Sequence, residues 1–191
     1  MKIILKKISN GFYKISTGVV TLACLLIFFA FSGLVLPNQS AEAEFYAGEA
    51  GSPDTSPFYT SKDLYRFAES YGEEGRTAYI RARFTFDVIW PITYLAFLAT
   101  SISWLLRKTN LHSSKWGLLN LAPVFGTVFD FIENSMTAIV MARYPQTTIV
   151  IDVLAGIFTL LKWVFIAGSF VVFIASVLLM LFHLKNRKKI I

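Results

Sequence analysis

The sequence predicts an all-α integral membrane protein: four transmembrane helices with a short extracytoplasmic helical cap between spans one and two. Three observations carry that reading. Four stretches, Thr17–Leu36, Phe84–Leu106, Trp116–Ala142 and Ile149–Phe182, are predominantly apolar, and each reaches the ~20 residues needed to cross a hydrocarbon core ~30 Å thick. Lys and Arg gather in alternate connections between those stretches. Within the stretches, the polar residues recur at helical spacing instead of scattering.

Composition agrees with the runs. The chain is 55% hydrophobic and only 16% charged, against ~45–50% and ~25% for a typical soluble domain. The four runs take up over half of the 191 residues, so residues 1–191 read as one four-span domain. Residues 37–82 form its extracytoplasmic loop.

Sidedness follows from the basic residues. Lys2, Lys6, Lys7 and Lys14 precede the first span, and Arg107, Lys108 and Lys115 lie between the second and third. Lys185, Arg187, Lys188 and Lys189 follow the fourth, and none of these three segments contains Asp or Glu. Cytoplasmic segments of membrane proteins carry excess Lys and Arg. The expected location is therefore the plasma membrane, multi-pass, with N-terminus and C-terminus cytoplasmic. The net charge of +6 then reports topology, aided by anionic lipid heads, and is no nucleic-acid footprint.

Span one has a basic start and ends near Ala41-Glu42-Ala43, a small-x-small pattern. Its apolar run exceeds the ~7–15 residues of a signal-peptide core, so it reads as an uncleaved anchor. Cleavage is the alternative, leaving three spans. Cys24 is the sole cysteine, so it forms no internal disulfide and reads as a packed, inert thiol. Residues 37–60, punctuated by Pro37, Pro53 and Pro57, read as an extended outer loop. Thr60 and Asp63 then make a capping-box start. Leu64, Phe67, Ala68 and Tyr71 recur at i, i+3, i+4 and i+7, and Gly72 ends that helix. The next helix carries Glu73 and Glu74 at its positive end and runs straight into span two. Span three runs from Trp116 past Pro123 to Arg143. Span four is about 50 Å long at ~1.5 Å per residue, so its first turns are expected to project outward under the loop helix. A break at Gly168-Ser169 into two re-entrant pieces is the other possibility.

The spans carry stripes. In span three Gly126, Asp130, Glu133 and Thr137 share one face, flanked by Asn134; span two aligns Arg83, Asp87, Trp90 and Tyr94; span four aligns Ala155, Thr159, Lys162 and Ser169. A charge facing lipid at mid-depth costs ~2.5–3.5 kcal/mol, so the stripes are expected to face one another. Arg83, Asp87, Asp130, Glu133, Asn134 and Lys162 are therefore the candidate ligand-binding residues. In a structural reading Lys162 and Arg83 neutralise Asp87 and Glu133, with Asn134 bridging. In a functional one, the carboxylate surplus relays protons, holds an ion or meets a cationic ligand.

Paired His or Cys, phosphate loops and nucleophile elbows do not occur in the sequence, so no metal or cofactor is expected. The expected role is a non-enzymatic accessory or interaction subunit, in contact with the lipid bilayer and with a protein partner or a second copy. The alternative is a transporter-like protein for a small ligand, proton or ion, or a lipid-modifying enzyme, with an outward-facing intramembrane polar site.

Overall fold

Local chemistry sets most helix boundaries in the computed structural model, which describes residues 2–187. Lys188 and Lys189 of the C-terminal basic run lie outside the described residues. Eight α-helices occur among them: α1 (Lys2–Ile15), α2 (Gly18–Leu34), α3 (Leu36–Ala47), α4 (Ser61–Ser70), α5 (Gly72–Arg83), α6 (Phe86–Lys108), α7 (Ala122–Arg143) and α8 (Ile151–Arg187). No strand occurs among the described residues. Four helical stretches are long and apolar enough to cross a membrane: Gly18–Ala50, Gly72–Lys108, Lys115–Arg143 and Ile151–Asn186.

Three features differ from the sequence reading. The first is α3, which lies where an extended loop is expected. Pro37 sits in its first turn, where the missing amide would have no helical acceptor anyway, and Ala41, Glu42, Ala43 and Glu44 are helix-compatible. Only then does the chain become irregular, through 3₁₀ turns at Gly48–Ala50 and Pro53–Thr55. Second, α5 does not run straight into α6, because Phe84 and Thr85 form a turn. Third, Lys115–Leu121 is 3₁₀, with α7 starting only at Ala122. Pro123 explains this: its ring clashes with the carbonyl four residues back and disfavours α geometry before it. Of the two readings of span four the continuous one holds: α8 passes through Gly168-Ser169 without a break, with the Ser169 hydroxyl donating to the Phe165 carbonyl at 2.6 Å.

The described chain divides into two compact units. The first comprises Met1–Phe28, Thr93–Phe125 and Phe165–Ile191, the second Phe29–Ile92 and Gly126–Val164.

In the first unit α1 is latched to the 3₁₀ segment before α7. Ser9 Oγ donates to Asn120 Oδ1 at 2.8 Å, Asn120 Nδ2 donates to the Ser9 carbonyl and to Ser103 Oγ, and the Tyr13 hydroxyl donates to the Gly117 carbonyl at 2.7 Å. Burial pushes the Tyr13 phenol up to about 12, so it remains a donor. Arg107 closes the C-terminus of α1 by donating to the carbonyls of Tyr13 and Ser16, where a cation also meets the negative end of the helix. Phe97 packs with Phe28, Phe170 and Phe173.

The second unit holds the cap. Thr60 and Asp63 form a reciprocal capping box. The Thr60 hydrogen bonds hold the Asp63 carboxyl below its ordinary value. Gly72 adopts φ +60 at the α4–α5 corner, a conformation a Cβ would penalise. The buried face of α4 (Leu64, Phe67 and Ala68) joins Tyr59, Tyr71 and Tyr79 in one core with Val140 and Met141 of α7 and Ala155 of α8. Fully burying a side chain of Leu or Phe size contributes roughly 1.5–3 kcal/mol, so the cap is held by packing as well as by charge. Gly156 allows the closest approach. A Cβ there would lie 2.2 Å from the Tyr59 carbonyl oxygen, so position 156 admits no side chain unless the Phe58–Thr60 segment moves.

Candidate functional site

The polar cluster lies wholly within the second unit, and all six residues singled out from the sequence are buried. They form two neighbourhoods, each completed by a residue from the cap.

One is built around Lys162 of α8. Its Nζ donates to Glu133 Oε2 at 2.8 Å and stands 3.7 Å from Asp130 Oδ1. Asp130 and Glu133 are one helical turn apart on α7, so a single ammonium faces both carboxylates. The other oxygen of Glu133 accepts from the Tyr59 hydroxyl at 2.9 Å. Glu133 is fully buried. Burial first, then the adjacent Glu133 charge, pushes the Tyr59 phenol far up, so Tyr59 acts as a donor. The backbone carbonyl of Glu133 accepts from Thr137, and Thr159 bonds back to Ala155. Neither hydroxyl takes up an oxygen of the Glu133 carboxylate, which is left to its two outside donors.

The other neighbourhood surrounds Arg83 at the end of α5. The guanidinium forms a two-nitrogen ion pair with Asp54 of the loop, with Nη2 donating to Oδ2 at 2.7 Å and Nη1 to Oδ1. Such fork-to-fork pairing fixes geometry as well as charge. Arg83 also lies 2.6 Å from Asp87 Oδ2, donates to Asn134 Oδ1 at 3.3 Å, and stacks 4.2 Å over the Tyr79 ring. The contact with Asp87 is close, yet its alignment does not make a hydrogen bond: Asp87 Oδ2 is among the buried side-chain atoms with no hydrogen-bond partner, with Arg83 Nε and Asn134 Nδ2. Asn134 therefore serves the Arg83 side alone, and the expected bridge between the two neighbourhoods through its amide is absent.

The sequence reading missed Asp54, Tyr59 and Tyr79. Asp54 lies in a stretch without periodicity and 29 residues from Arg83. The one available signal was an acid within a Ser-Pro-Asp turn, which is also an ordinary loop composition.

Among the ion pairs observed in the described residues, Asp54, Asp87, Asp130 and Glu133 pair with two cations, Arg83 and Lys162. Four carboxylates to two cations leave an excess of negative charge in a largely buried place. Among the described residues, no group of three or more His, Cys, Asp or Glu is arranged to hold a metal ion.

Comparison with protein families, characterised proteins and solved structures yields no match to this chain.

Proposed function

We propose that the chain is a multi-pass protein of the plasma membrane, with both termini cytoplasmic, and that it acts as a non-enzymatic accessory or interaction subunit whose outer cap is the contact surface. The observation that carries this reading is the closure of Glu133. Both carboxylate oxygens are engaged, one by Tyr59 of the cap and one by Lys162 of α8, and nothing of the side chain is exposed. Arg83 is likewise occupied by Asp54. A buried charge with all its partners supplied internally serves register and rigidity better than turnover. The network thus clamps the loop to α5, α7 and α8 in one arrangement. Polar contacts between helices in bilayers average only ~0.6 kcal/mol, so their use here is to specify geometry.

The experiment is purification of the full chain from native membranes in mild detergent. The expected result is co-purification of a second polypeptide, or of a second copy, at fixed stoichiometry. Retention should survive Glu133→Gln with Lys162→Met and be lost on charge reversal at Glu73 and Glu74, which are exposed on α5. A monodisperse chain without partner or second copy overturns the reading.

A second reading rests on a different observation, the excess of carboxylates beside unpartnered buried atoms of Arg83, Asp87 and Asn134. On that reading the cluster binds a proton or a small cationic ligand from the outer side. Binding that disappears in Asp87→Asn while the fold is retained supports it; unchanged binding removes it.

A further inference from the structure

The first unit has a charge pattern that the accessory role does not use. Its described residues include nine Lys or Arg and not one Asp or Glu. Four of the nine, Lys2, Lys6, Lys7 and Lys14, stand on α1 with exposed side chains. None of them forms a salt bridge among those observed in the described residues.

The faces of α1 are distinct. At ~100° per residue, Ser9 and Tyr13 share the side latched to Asn120 and Gly117. Ile4, Ile8 and Ile15 fall within a narrow arc on another side, and they are 64%, 41% and 56% exposed. Lys7 and Lys14 form a column directly beside that ridge. Aliphatic side chains so exposed are not part of the protein core, and cations placed beside them have no partner acid in the unit. The helix ends at Ile15, three residues before the apolar helix α2 begins at Gly18. Lys108 and Lys115 lie over the rings of Trp104 and Trp116, and Trp116 is half exposed. Amphipathic Trp and Lys side chains of this kind favour the headgroup level of a bilayer.

We propose that α1 is an interfacial helix that binds anionic phospholipid: Ile4, Ile8 and Ile15 enter the acyl boundary, Lys7 and Lys14 beside them hold the headgroup phosphates, and Lys2 and Lys6, on the side of Ser9 and Tyr13, add positive charge at the surface. A helix with one apolar ridge and a basic border lies in the plane of the interface. Each Lys near an anionic surface strengthens association by roughly fivefold at physiological ionic strength. The latch through Ser9, Tyr13 and Arg107 fixes the roll of α1 about its axis, so the ridge is preset and does not have to find its orientation on contact with lipid.

The test uses the full chain with Cys24→Ser, reconstituted in vesicles of phosphatidylcholine alone or of an equimolar phosphatidylcholine–phosphatidylglycerol mixture. Nitroxide labels at Ile4→Cys and Lys7→Cys report depth by the balance of oxygen and nickel-chelate collisions. Spin-labelled lipids report which headgroup is enriched beside the protein. The expected result is an acyl-level label at position 4, a water-level label at position 7, and severalfold enrichment of phosphatidylglycerol. That enrichment should fall to near parity in a variant with all four lysines changed to Gln, and should persist when they are changed to Arg. The four side chains are solvent-exposed, and unchanged thermal unfolding of the Gln variant confirms that it folds. Labels at positions 4 and 7 both in water overturn the interfacial helix. Equal enrichment of the two lipids, or enrichment indifferent to the Gln variant, overturns the recognition of charge.

Discussion

Lys162→Met and Glu133→Gln should destabilise the protein unequally, and the inequality can be worked from the distances. At an effective dielectric of about 20, unit charges 2.8 Å apart attract by a gross ~6 kcal/mol, and at 3.7 Å by ~4.5 kcal/mol. Desolvation offsets most of either figure, so neither is a net stability. The comparison is still informative. Glu133→Gln leaves Lys162 beside Asp130 and leaves a side-chain carbonyl to accept from Tyr59, so its cost should lie near that of a lost buried hydrogen bond, ~1–3 kcal/mol. Lys162→Met instead leaves Asp130 and Glu133 facing each other one turn apart with no cation between them. Removing one partner of a buried pair in this way costs ~3–5 kcal/mol. The double variant should lose less than the two single losses combined, by more than the ~0.6 kcal/mol average for polar contacts between membrane helices. Helix content followed by circular dichroism during titration with SDS in mixed micelles measures all four species. Strictly additive losses, or a larger loss for Glu133→Gln than for Lys162→Met, would refute the account of the cluster given above.

Three further outcomes are expected. Gly156→Ala should cost ~1–3 kcal/mol by overpacking, because its Cβ meets the Tyr59 carbonyl. Gly168→Ala on the same helix has open space and should be neutral or stabilising by up to ~1 kcal/mol; the same unfolding titration compares them. The Asp63 carboxyl is held low by Thr60, so its capping contribution is present above the ordinary value of 3.8 and is lost as pH falls through the lower folded value. Amide exchange at the first turn of α4 should therefore accelerate only in strong acid, and Thr60→Ala should remove that dependence. For sidedness, in a Cys24→Ser background, a membrane-impermeant thiol reagent applied to intact cells should label Ser56→Cys and spare Ser113→Cys; the reverse pattern inverts the topology.

Much of the second unit could be read in advance because its signals are local or periodic. The capping box needs only Thr60 and Asp63, three residues apart. The α7 stripe needs only helical spacing, and from the cost of a lipid-facing charge it follows that Glu133 must find a cation, which Lys162 supplies. What escaped the sequence is non-local or depends on position within a turn. Asp54 reaches Arg83 through tertiary folding that no spacing rule encodes, and Tyr59 reaches Glu133 across 74 residues. Pro37 reads as loop punctuation in the sequence, yet in a first helical turn it is a helix-compatible residue, and that single ambiguity conceals α3. Pro123 has the converse effect: it marks where α geometry begins, and so the segment from Lys115 became 3₁₀. The latch of α1 on Gly117 and Asn120 is likewise a meeting of distant segments.

The ion pair between α7 and α8 also has a consequence in time. Translation delivers Asp130 and Glu133 before Lys162 has been made, so on the bilayer reading α7 leaves the ribosome before the ammonium that faces both carboxylates exists. Tyr59 is already available, but a phenol only donates a hydrogen bond and cancels no charge. α7 on its own is therefore a poor candidate for release into lipid, and is best retained at the insertion site until α8 emerges. On that reading the two helices are expected to leave as one hairpin, paired through Lys162.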